Sequence, residues 1–281
     1  MIALQRVRTA QAVKPEYRGQ RKIDRENALL QAYRDSDGNP KFNTAWWKAA
    51  KEQLKAEAHY KCAYCEADVA VVAHGDVEHF RPKSEYWWLA YCYDNYLYSC
   101  QLCNQTYKGK AFPIHGDRMT AVQVHTHDSD ESLTALAGSL APDPLDGEPR
   151  YPIAEYARLA KREKAGLPNP YLEDPESMFA WEADQDNKEV SVKKLNHRVR
   201  PTRAFQAAEE YLGLNREQLR RVRWREFEML DLFRRSFERF NQLGDPLAEE
   251  IRNELQLRMA DEAPFAGMAR YFIRTEWQLI V

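Results

Sequence analysis

The sequence predicts a mostly helical α+β protein, and three observations support that fold class. Apolar residues recur at helical spacing near the N-terminus and in most of the chain after residue 200. Two short runs near residues 180 and 190 flank the turn-like DQDN, which is typical of a β-hairpin. Upstream, two Cys-x-x-Cys pairs bracket a segment rich in aromatic and polar residues. We therefore expect a small α+β core around the cysteines, then a hairpin and a C-terminal helical region.

Composition and charge narrow the class of protein. The chain has 281 residues, of which 44% are hydrophobic and 30% charged, and its formal net charge is -2. That length can bury a sizeable core in one or two domains, and the composition is typical of a soluble globular protein. Because such a net charge gives no global basic field, any binding to a polyanion must come from local patches.

The N-terminal residues indicate where the protein resides. No apolar run approaches the roughly 20 residues needed to span a bilayer, and Arg6 and Arg8 stand where a signal peptide would be apolar. We therefore expect a cytoplasmic protein that does not associate with membranes. In that reducing compartment, paired cysteines favour a metal site over disulfides.

The N-terminal segment, residues 1–60, is expected to be helical and to pack on the core. Residues 22–34 and 45–60 have helical patterns, and the DSDGNP between them consists of turn-forming residues. Asn43 or Thr44 can cap the second of these helices.

Two further regions follow the core. Residues 120–175 are rich in Pro, Gly, Ser and Asp, so we expect a long loop or linker with at most one or two helical turns. Residues 176–281 should hold the hairpin and several helices, the longest of them capped by Asn215. Between 216 and 240 that helix has eight arginines against five acidic residues. It is a solvated face, a nucleic-acid track or a docking face for a partner.

Four cysteines have the spacing of two zinc knuckles: Cys62, Cys65, Cys100 and Cys103. Such pairs bind Zn²⁺ tetrahedrally through four thiolates, which leaves no open position for chemistry. We therefore expect a structural zinc site within residues 61–119, and the alternative is a set of redox or buried thiols. Cys92 is unpaired and is expected to be a small core residue.

The segment between and after the cysteine pairs resembles the HNH endonuclease superfamily. His79, Asn95 and Asn104 follow the order of its His-Asn-His/Asn signature. The run EHFRPKS is similar to the superfamily's Asp-His-x-x-Pro-x-Ser, with Glu78 at the position where Asp or His is more usual. CQLCNQTYKG matches the common C-terminal half, apart from one extra residue before Lys108. The resemblance implies a ββα-metal core: a hairpin with the first His, then a helix with the third motif residue.

This resemblance implies roles for four side chains in metal-dependent hydrolysis of phosphodiester bonds. Glu78 and Asn104 would offer oxygen atoms to a catalytic Mg²⁺ or Mn²⁺, since Mg²⁺ keeps several waters and needs few protein ligands. His79 would point the other way on an extended segment and take the proton from the attacking water. Asn95 would brace the loop and orient His79.

Basic residues inside and beside the motif are candidates for binding nucleic acid. Phosphate contacts position a substrate without reading its sequence, and we expect Arg81, Lys83 and Lys108 to make them. Solvated surface side chains are the alternative. His74 is a weaker candidate for a place near the site.

The C-terminal half resembles a narrower group, the Septu-type and retron-associated HNH effectors of bacterial anti-phage systems. After the hairpin, the sequence has that group's pattern of Leu, Asn and Arg: Leu212, Leu214, Asn215, Leu219 and Arg223. The resemblance implies an SMC-like or ABC-type ATPase partner that restrains or activates the nuclease, within a retron complex in part of the group. The arginine-rich helix is then a candidate docking face.

Three alternatives compete with a partner-controlled nuclease. A non-catalytic zinc-ribbon module would bind nucleic acid or protein and would have no need of Glu78, His79 and Asn104. A stand-alone HNH endonuclease would need no partner. A zinc-dependent hydrolase of small substrates is disfavoured, because a catalytic zinc keeps an open position.

Overall fold

The computed structural model describes residues 1–69 and 75–281 and divides the chain into two compact units. The first consists of Gln5–Ala58 and Gly75–Gly166, and the second of Met1–Leu4, His59–His74 and Leu167–Val281. About half of the described residues are helical, and the strands form two-stranded sheets. The predicted α+β class is therefore confirmed. His74 lies outside the described residues.

The first unit contains two strands and most of the short helices. In chain order they are α1 (Gly19–Asp35), α2 (Thr44–Lys48), α3 (Lys51–Glu57), β1 (Asp76–His79), β2 (Tyr96–Ser99), α4 (Asp130–Leu136) and α5 (Ile153–Glu163). Short 3₁₀ turns at Trp87–Leu89 and Tyr93–Asn95 lie between the strands, and a π-helical segment, Leu102–Lys108, follows β2.

The N-terminal helices follow the sequence pattern with one difference. The Asn43 side chain accepts a hydrogen bond from the Ala45 amide at 3.0 Å and so caps α2. The single helix expected over 45–60 is instead two, separated by a turn after α2 and ended by left-handed backbone at His59 and Tyr60. α3 packs against both β1 and β2.

The two strands of the first unit form an antiparallel pair. Asp76 is opposite Ser99 and His79 is opposite Tyr96. All four residues of β2 are buried, because the helices of this unit cover the pair. In β1, Glu78 and His79 are buried, whereas Asp76 and Val77 are partly exposed.

The segment expected to be a linker is more ordered than the sequence indicates. Within residues 120–175 the structure has α4 and the three-turn α5, so the expectation of at most one or two helical turns is wrong. α5 is amphipathic and buries Tyr156, Ala160 and Glu163. In the sequence, the Pro, Gly and Asp residues on either side of α5 obscure the helical spacing of its apolar residues.

The second unit contains the predicted hairpin and the long helices. Its elements are β3 (Phe179–Asp184), β4 (Glu189–Lys194), α6 (Val199–Leu212), α7 (Glu217–Leu243), α8 (Leu247–Met259) and α9 (Ala266–Arg270). The hairpin strands pair antiparallel from Phe179 opposite Lys194 to Asp184 opposite Glu189, as predicted. α7 packs against β4 and α8.

Two expectations about α7 are wrong. Asn215 does not cap it: its side chain accepts a hydrogen bond from the Val192 amide at 2.8 Å and donates to the Val192 carbonyl at 3.0 Å. It thus ties the start of α7 to the hairpin. Arg223, expected on a docking face, is 0% exposed, donates to the Leu214 carbonyl at 2.6 Å and lies over the Trp181 ring at 4.8 Å.

Among the described residues, no helix combines the length and apolar character needed to cross a membrane.

Candidate active site and cysteine cluster

Strand β1 brings the first motif residues into the first unit's interior. Glu78 pairs with Leu97 and His79 with Tyr96 across the two strands. Glu78 is 3% exposed and His79 is 8% exposed. Neighbouring side chains of an extended strand point to opposite faces, as expected for Glu78 and His79. His79 is the last residue of β1, so this alternation does not extend beyond it.

The His79 ring is fixed by a hydrogen bond and by aromatic contacts. Its Nε2 lies 2.9 Å from the Ala90 carbonyl oxygen, which can only accept, so Nε2 carries the hydrogen and Nδ1 keeps a lone pair. Trp47 and Tyr96 contact the ring edge-on at centroid distances of 5.0 and 5.1 Å. Tyr96 also donates to the Ala90 oxygen at 2.7 Å. One nitrogen is therefore engaged and the other can act as a base.

Burial keeps this imidazole neutral. It lowers the pKa of His79 to about 3, partly opposed by the hydrogen bond to Ala90 and reinforced by the positive charges of Lys83 and Lys108. At neutral pH the ring is therefore unprotonated.

The Glu78 carboxylate faces a buried cation. Lys108 Nζ lies 2.5 Å from Glu78 Oε1 and donates to the His79 carbonyl oxygen at 3.1 Å. Burial raises the pKa of the Glu78 carboxyl, and the Lys108 ammonium opposes that rise. Lys108 is 2% exposed, so its contacts are internal ones and the expected phosphate contact is not supported.

Asn104 lies beside a carboxylate that the sequence reading missed. Its Nδ2 donates to Asp76 Oδ2 at 3.4 Å, and Gln105 Nε2 donates to the same oxygen at 2.8 Å. Asp76 is two residues before Glu78, so both are on the same face of β1. The strand period was the signal that could have indicated Asp76.

Glu78, His79 and Asn104 line one pocket in the first unit, with a volume of about 430 Å³. Its lining includes the predicted metal and base residues, an aromatic wall and two lysines: Glu78, His79, Asn104, Trp47, Lys83 and Lys110. Lys83 Nζ lies 5.3 Å from the centre of the Trp47 ring. The structure therefore brings Glu78, His79 and Asn104 together, with Lys83 beside them.

Asn95 and Arg81 are internal to the loop that follows His79. Asn95 is fully buried, accepts from the Arg81 amide at 2.9 Å and donates to the Arg81 carbonyl at 3.0 Å. Arg81 is 1% exposed and its Nε donates to Glu163 at 2.7 Å. Its guanidinium is thus held inside the protein, and the expected contact with nucleic acid is replaced by a structural ion pair.

Four of the five cysteines converge. The ligand atoms of Cys62, Cys65, Cys100 and Cys103 all lie within 4.8 Å of one another. In the described part of the chain, this is the one group of three or more His, Cys, Asp or Glu side chains arranged to hold a metal ion. Thiolates in two Cys-x-x-Cys pairs suit tetrahedral zinc, so this cluster can hold a zinc ion.

Cys92 is separate from that cluster. It is buried in the first unit, and burial raises the pKa of its thiol to about 12. A thiol with so high a pKa is not a nucleophile at neutral pH, which agrees with the expected core role.

The comparisons with known proteins give one partial likeness. Over 83 residues the chain is 36% identical to the Septu protein PtuB of Bacillus mycoides (strain KBAB4). The match covers 25% of this chain and 28% of that relative, so less than a third of the relative's length is represented. It supports the Septu-like relationship that the sequence indicates. No protein-family model and no solved structure matches the chain.

Proposed function

We propose that this chain is a metal-dependent nuclease of the HNH type that hydrolyses phosphodiester bonds. The observation that carries the proposal is a neutral His79, held through Nε2, in the lining of the same pocket as Glu78 and Asn104. The strand pair β1–β2, followed by the helical segment Leu102–Lys108, has the element order of a ββα-metal core and supports this assignment.

His79 acts as the general base in this proposal. With Nε2 donating to Ala90, Nδ1 is the atom that takes the proton from a water attacking the phosphorus. The edge contacts of Trp47 and Tyr96 restrict rotation of the ring, so the base is oriented before substrate binds.

The residues present fit a divalent ion. Glu78 is a buried carboxylate whose charge is balanced by the Lys108 ammonium, so a bound ion would take over that balancing role. Glu78 and Asn104 would hold Mg²⁺ or Mn²⁺ through carboxylate and amide oxygens, the donors such ions prefer. When bound, the ion supplies positive charge for the phosphate oxygens. With the ion bound, the Lys108 ammonium must either share the Glu78 carboxylate with it or move away from that carboxylate.

Substrate phosphates are contacted by lysines in this proposal and not by Arg81. Lys83 and Lys110 line the pocket, whereas Arg81 is enclosed with Glu163. A few lysines around a pocket position a backbone without reading bases.

The cysteine cluster has a structural role in this proposal. Four thiolates complete the coordination of a zinc ion and leave no place for a water or a substrate. This argues against a zinc-dependent hydrolase and leaves hydrolysis to the His79 pocket.

The biological role proposed is anti-phage defence. The likeness to a Septu protein and the resemblance of the C-terminal half support an effector that works with an SMC-like or ABC-type ATPase. Two alternatives use the same hydrolytic site: the chain assembles within a retron complex, or it acts as a stand-alone endonuclease.

Cleavage assays with defined nucleic acids test the proposal. Supercoiled DNA, linear duplex, single-stranded DNA and RNA are incubated with zinc-loaded protein and Mg²⁺ or Mn²⁺. We expect His79→Ala to lower the cleavage rate by roughly 10²- to 10⁴-fold with zinc content unchanged. His197→Ala, at an exposed histidine of the second unit, is the matched control and should cleave normally.

The same assays locate the ion and separate a nuclease from a binding module. Glu78→Ala and Asn104→Ala should raise the Mg²⁺ or Mn²⁺ concentration needed for half-maximal rate. Cleavage by His79→Ala at the wild-type rate contradicts the base assignment. Tight binding to nucleic acid, with no cleavage of any substrate alone or with an ATPase partner, favours a non-catalytic module.

A further inference from the structure

Glu163, the last residue of α5, is a charged side chain buried in the first unit. It is 0% exposed, and its two oxygens accept three hydrogen bonds. Oε2 accepts from Arg81 Nε at 2.7 Å, and Oε1 accepts from the Tyr86 hydroxyl at 2.8 Å and the Met119 amide at 2.9 Å. An ionised carboxylate kept from water needs such partners, so its position is closely defined.

One oxygen of Glu163 fixes the chain as it leaves His79. Arg81 is two residues after His79, and its guanidinium also donates to the Tyr156 hydroxyl at 3.0 Å. Both backbone groups of Arg81 are bonded to Asn95, and the Phe80 amide donates to the Asn95 carbonyl at 2.9 Å. Arg81 is therefore anchored by main chain and side chain, which limits movement of His79.

The other oxygen fixes the group that orients the imidazole. Tyr86 is the N-cap residue of the 3₁₀ turn Trp87–Leu89, and Ala90 is its C-cap. The Leu89 amide donates to the Tyr86 carbonyl at 2.9 Å. Holding the Tyr86 hydroxyl therefore holds this turn, and with it the Ala90 carbonyl that accepts from His79.

We propose that Glu163 is a positioning residue for His79, because its two oxygens hold both the loop that follows His79 and the turn that carries the Ala90 carbonyl. The proposal rests on the proposed function in so far as it concerns catalysis. Its structural part, the control of the His79 tautomer and orientation, stands apart from any activity.

The geometry explains why a carboxylate is needed at this position. A glutamine at 163 presents either an amide N–H to the Arg81 guanidinium, where two donors meet, or an oxygen without the charge that balances the buried cation. Leaving one member of a buried ion pair without its partner is strongly unfavourable, so the Arg81 loop must shift. A shift on the order of 1 Å at a catalytic group lowers rates by about 100-fold.

The test compares Glu163→Gln with a second variant, Tyr86→Phe, which removes one hydroxyl and leaves the ion pair in place. Glu155→Gln is the matched control, since Glu155 is on the same helix in an exposed ion pair with Arg158. Glu163→Asp, which keeps the charge, tests rescue. The first readout is the ¹⁵N spectrum of the imidazoles of the whole zinc-loaded chain, with His79 assigned from its absence in His79→Gln. The second is kcat and KM for cleavage.

We expect wild type and Glu155→Gln to show His79 as a single Nε2–H tautomer. Folded Glu163→Gln and Tyr86→Phe should show a mixture of tautomers, with kcat lowered roughly 10- to 100-fold at unchanged KM, and Glu163→Asp should recover part of both. If Glu163→Gln does not fold, Tyr86→Phe decides. Wild-type His79 signals in the folded variants overturn the proposal, even if their melting temperatures fall. Absence of cleavage by wild type counts against the proposed function only, because the imidazole signals are read without substrate.

Discussion

At the scale of single residues, the motif's Glu78, Arg81 and Lys108 are buried, and each is paired with an opposite charge. Lys108 neutralises Glu78 and Glu163 neutralises Arg81. These pairs leave His79 as a neutral ring between charges that are already balanced. The pocket is thus a preorganised polar site in a buried setting, where electrostatic effects are larger than on a surface.

The depressed pKa of His79 predicts a pH dependence of stability. Its folded pKa is about 3, whereas the unfolded value is about 6.5. Between these values the unfolded chain binds a proton that the folded chain does not, so the free energy of unfolding falls as pH falls through this window. The contribution approaches about 1.4 kcal/mol per pH unit, or about 2 kcal/mol on going from about pH 6.5 to pH 5.

Urea unfolding of zinc-loaded wild type and His79→Ala over this pH range measures the effect. The variant lacks the proton-linked loss, so the wild type should lose about 2 kcal/mol more than the variant. The cavity left by the substitution shifts all values of the variant but not their pH dependence. Parallel curves for the two proteins would mean that His79 protonates normally in the folded state.

Sequence reasoning could identify the site's residue types but not their partners. The order and spacing of Glu78, His79 and Asn104 indicate one site, because residues so close in the sequence lie on neighbouring short elements of the fold. The Ala90 carbonyl leaves no signal in the sequence, since every residue has one. The Arg81–Glu163 pair is 82 positions apart, so a motif arginine was mistaken for a phosphate ligand.

At the scale of elements, the predictions succeeded where one period dominated and failed where side chains bridge distant segments. α1 and the hairpin β3–β4 follow directly from apolar spacing and turn residues. Asn215 is a residue type that commonly caps helices, but its side chain pairs with the backbone of β4. Propensity cannot distinguish these outcomes, because both use the same amide.

The cysteine cluster predicts that the fold depends on zinc. Structural zinc sites contribute on the order of 10 kcal/mol to the folding of small zinc peptides. Cys100→Ser should therefore lower bound zinc and the melting temperature, or give insoluble protein. Cys92→Ala is the control, because Cys92 is buried outside the cluster. It should keep its zinc and lose only core packing.

Metal analysis and thermal unfolding of both variants, with and without a chelator, provide the measurement. Chelation should destabilise wild type and Cys92→Ala but have little further effect on Cys100→Ser. Full zinc occupancy and an unchanged melting curve for Cys100→Ser would exclude this knuckle as a metal site.

At the scale of the whole molecule, charge is local rather than global. With a net charge of -2, the chain as a whole does not attract nucleic acid. Basic side chains are instead concentrated on α7, and the structure shows that only some of them are exposed. Arg223 is in the core and Arg220 is paired with Glu189 at 3.0 Å. The exposed basic and apolar side chains of α7 are Arg221, Val222, Arg225, Met229, Leu232, Arg235 and Arg239, and the acidic Glu217 and Glu228 are exposed on the same helix. Arg221 pairs with Glu217, and Arg235 pairs with Asp231.

That face leads to a prediction about control. A nuclease without sequence recognition must be restrained, and an exposed face with apolar and arginine side chains suits a protein partner. We expect the chain to bind an ATPase partner through α7 and to cleave poorly or promiscuously without it.

Arg221→Glu with Arg225→Glu should weaken assembly at least tenfold, a typical effect of reversing charges at an interface. Arg158→Glu with Arg162→Glu, at exposed positions of α5, is the matched control. Zinc content and His79-dependent cleavage by the isolated chain should remain unchanged in both double variants. Co-purification and light scattering measure assembly. A monomer with efficient, sequence-selective cleavage that is indifferent to the α7 reversals would instead establish a stand-alone endonuclease.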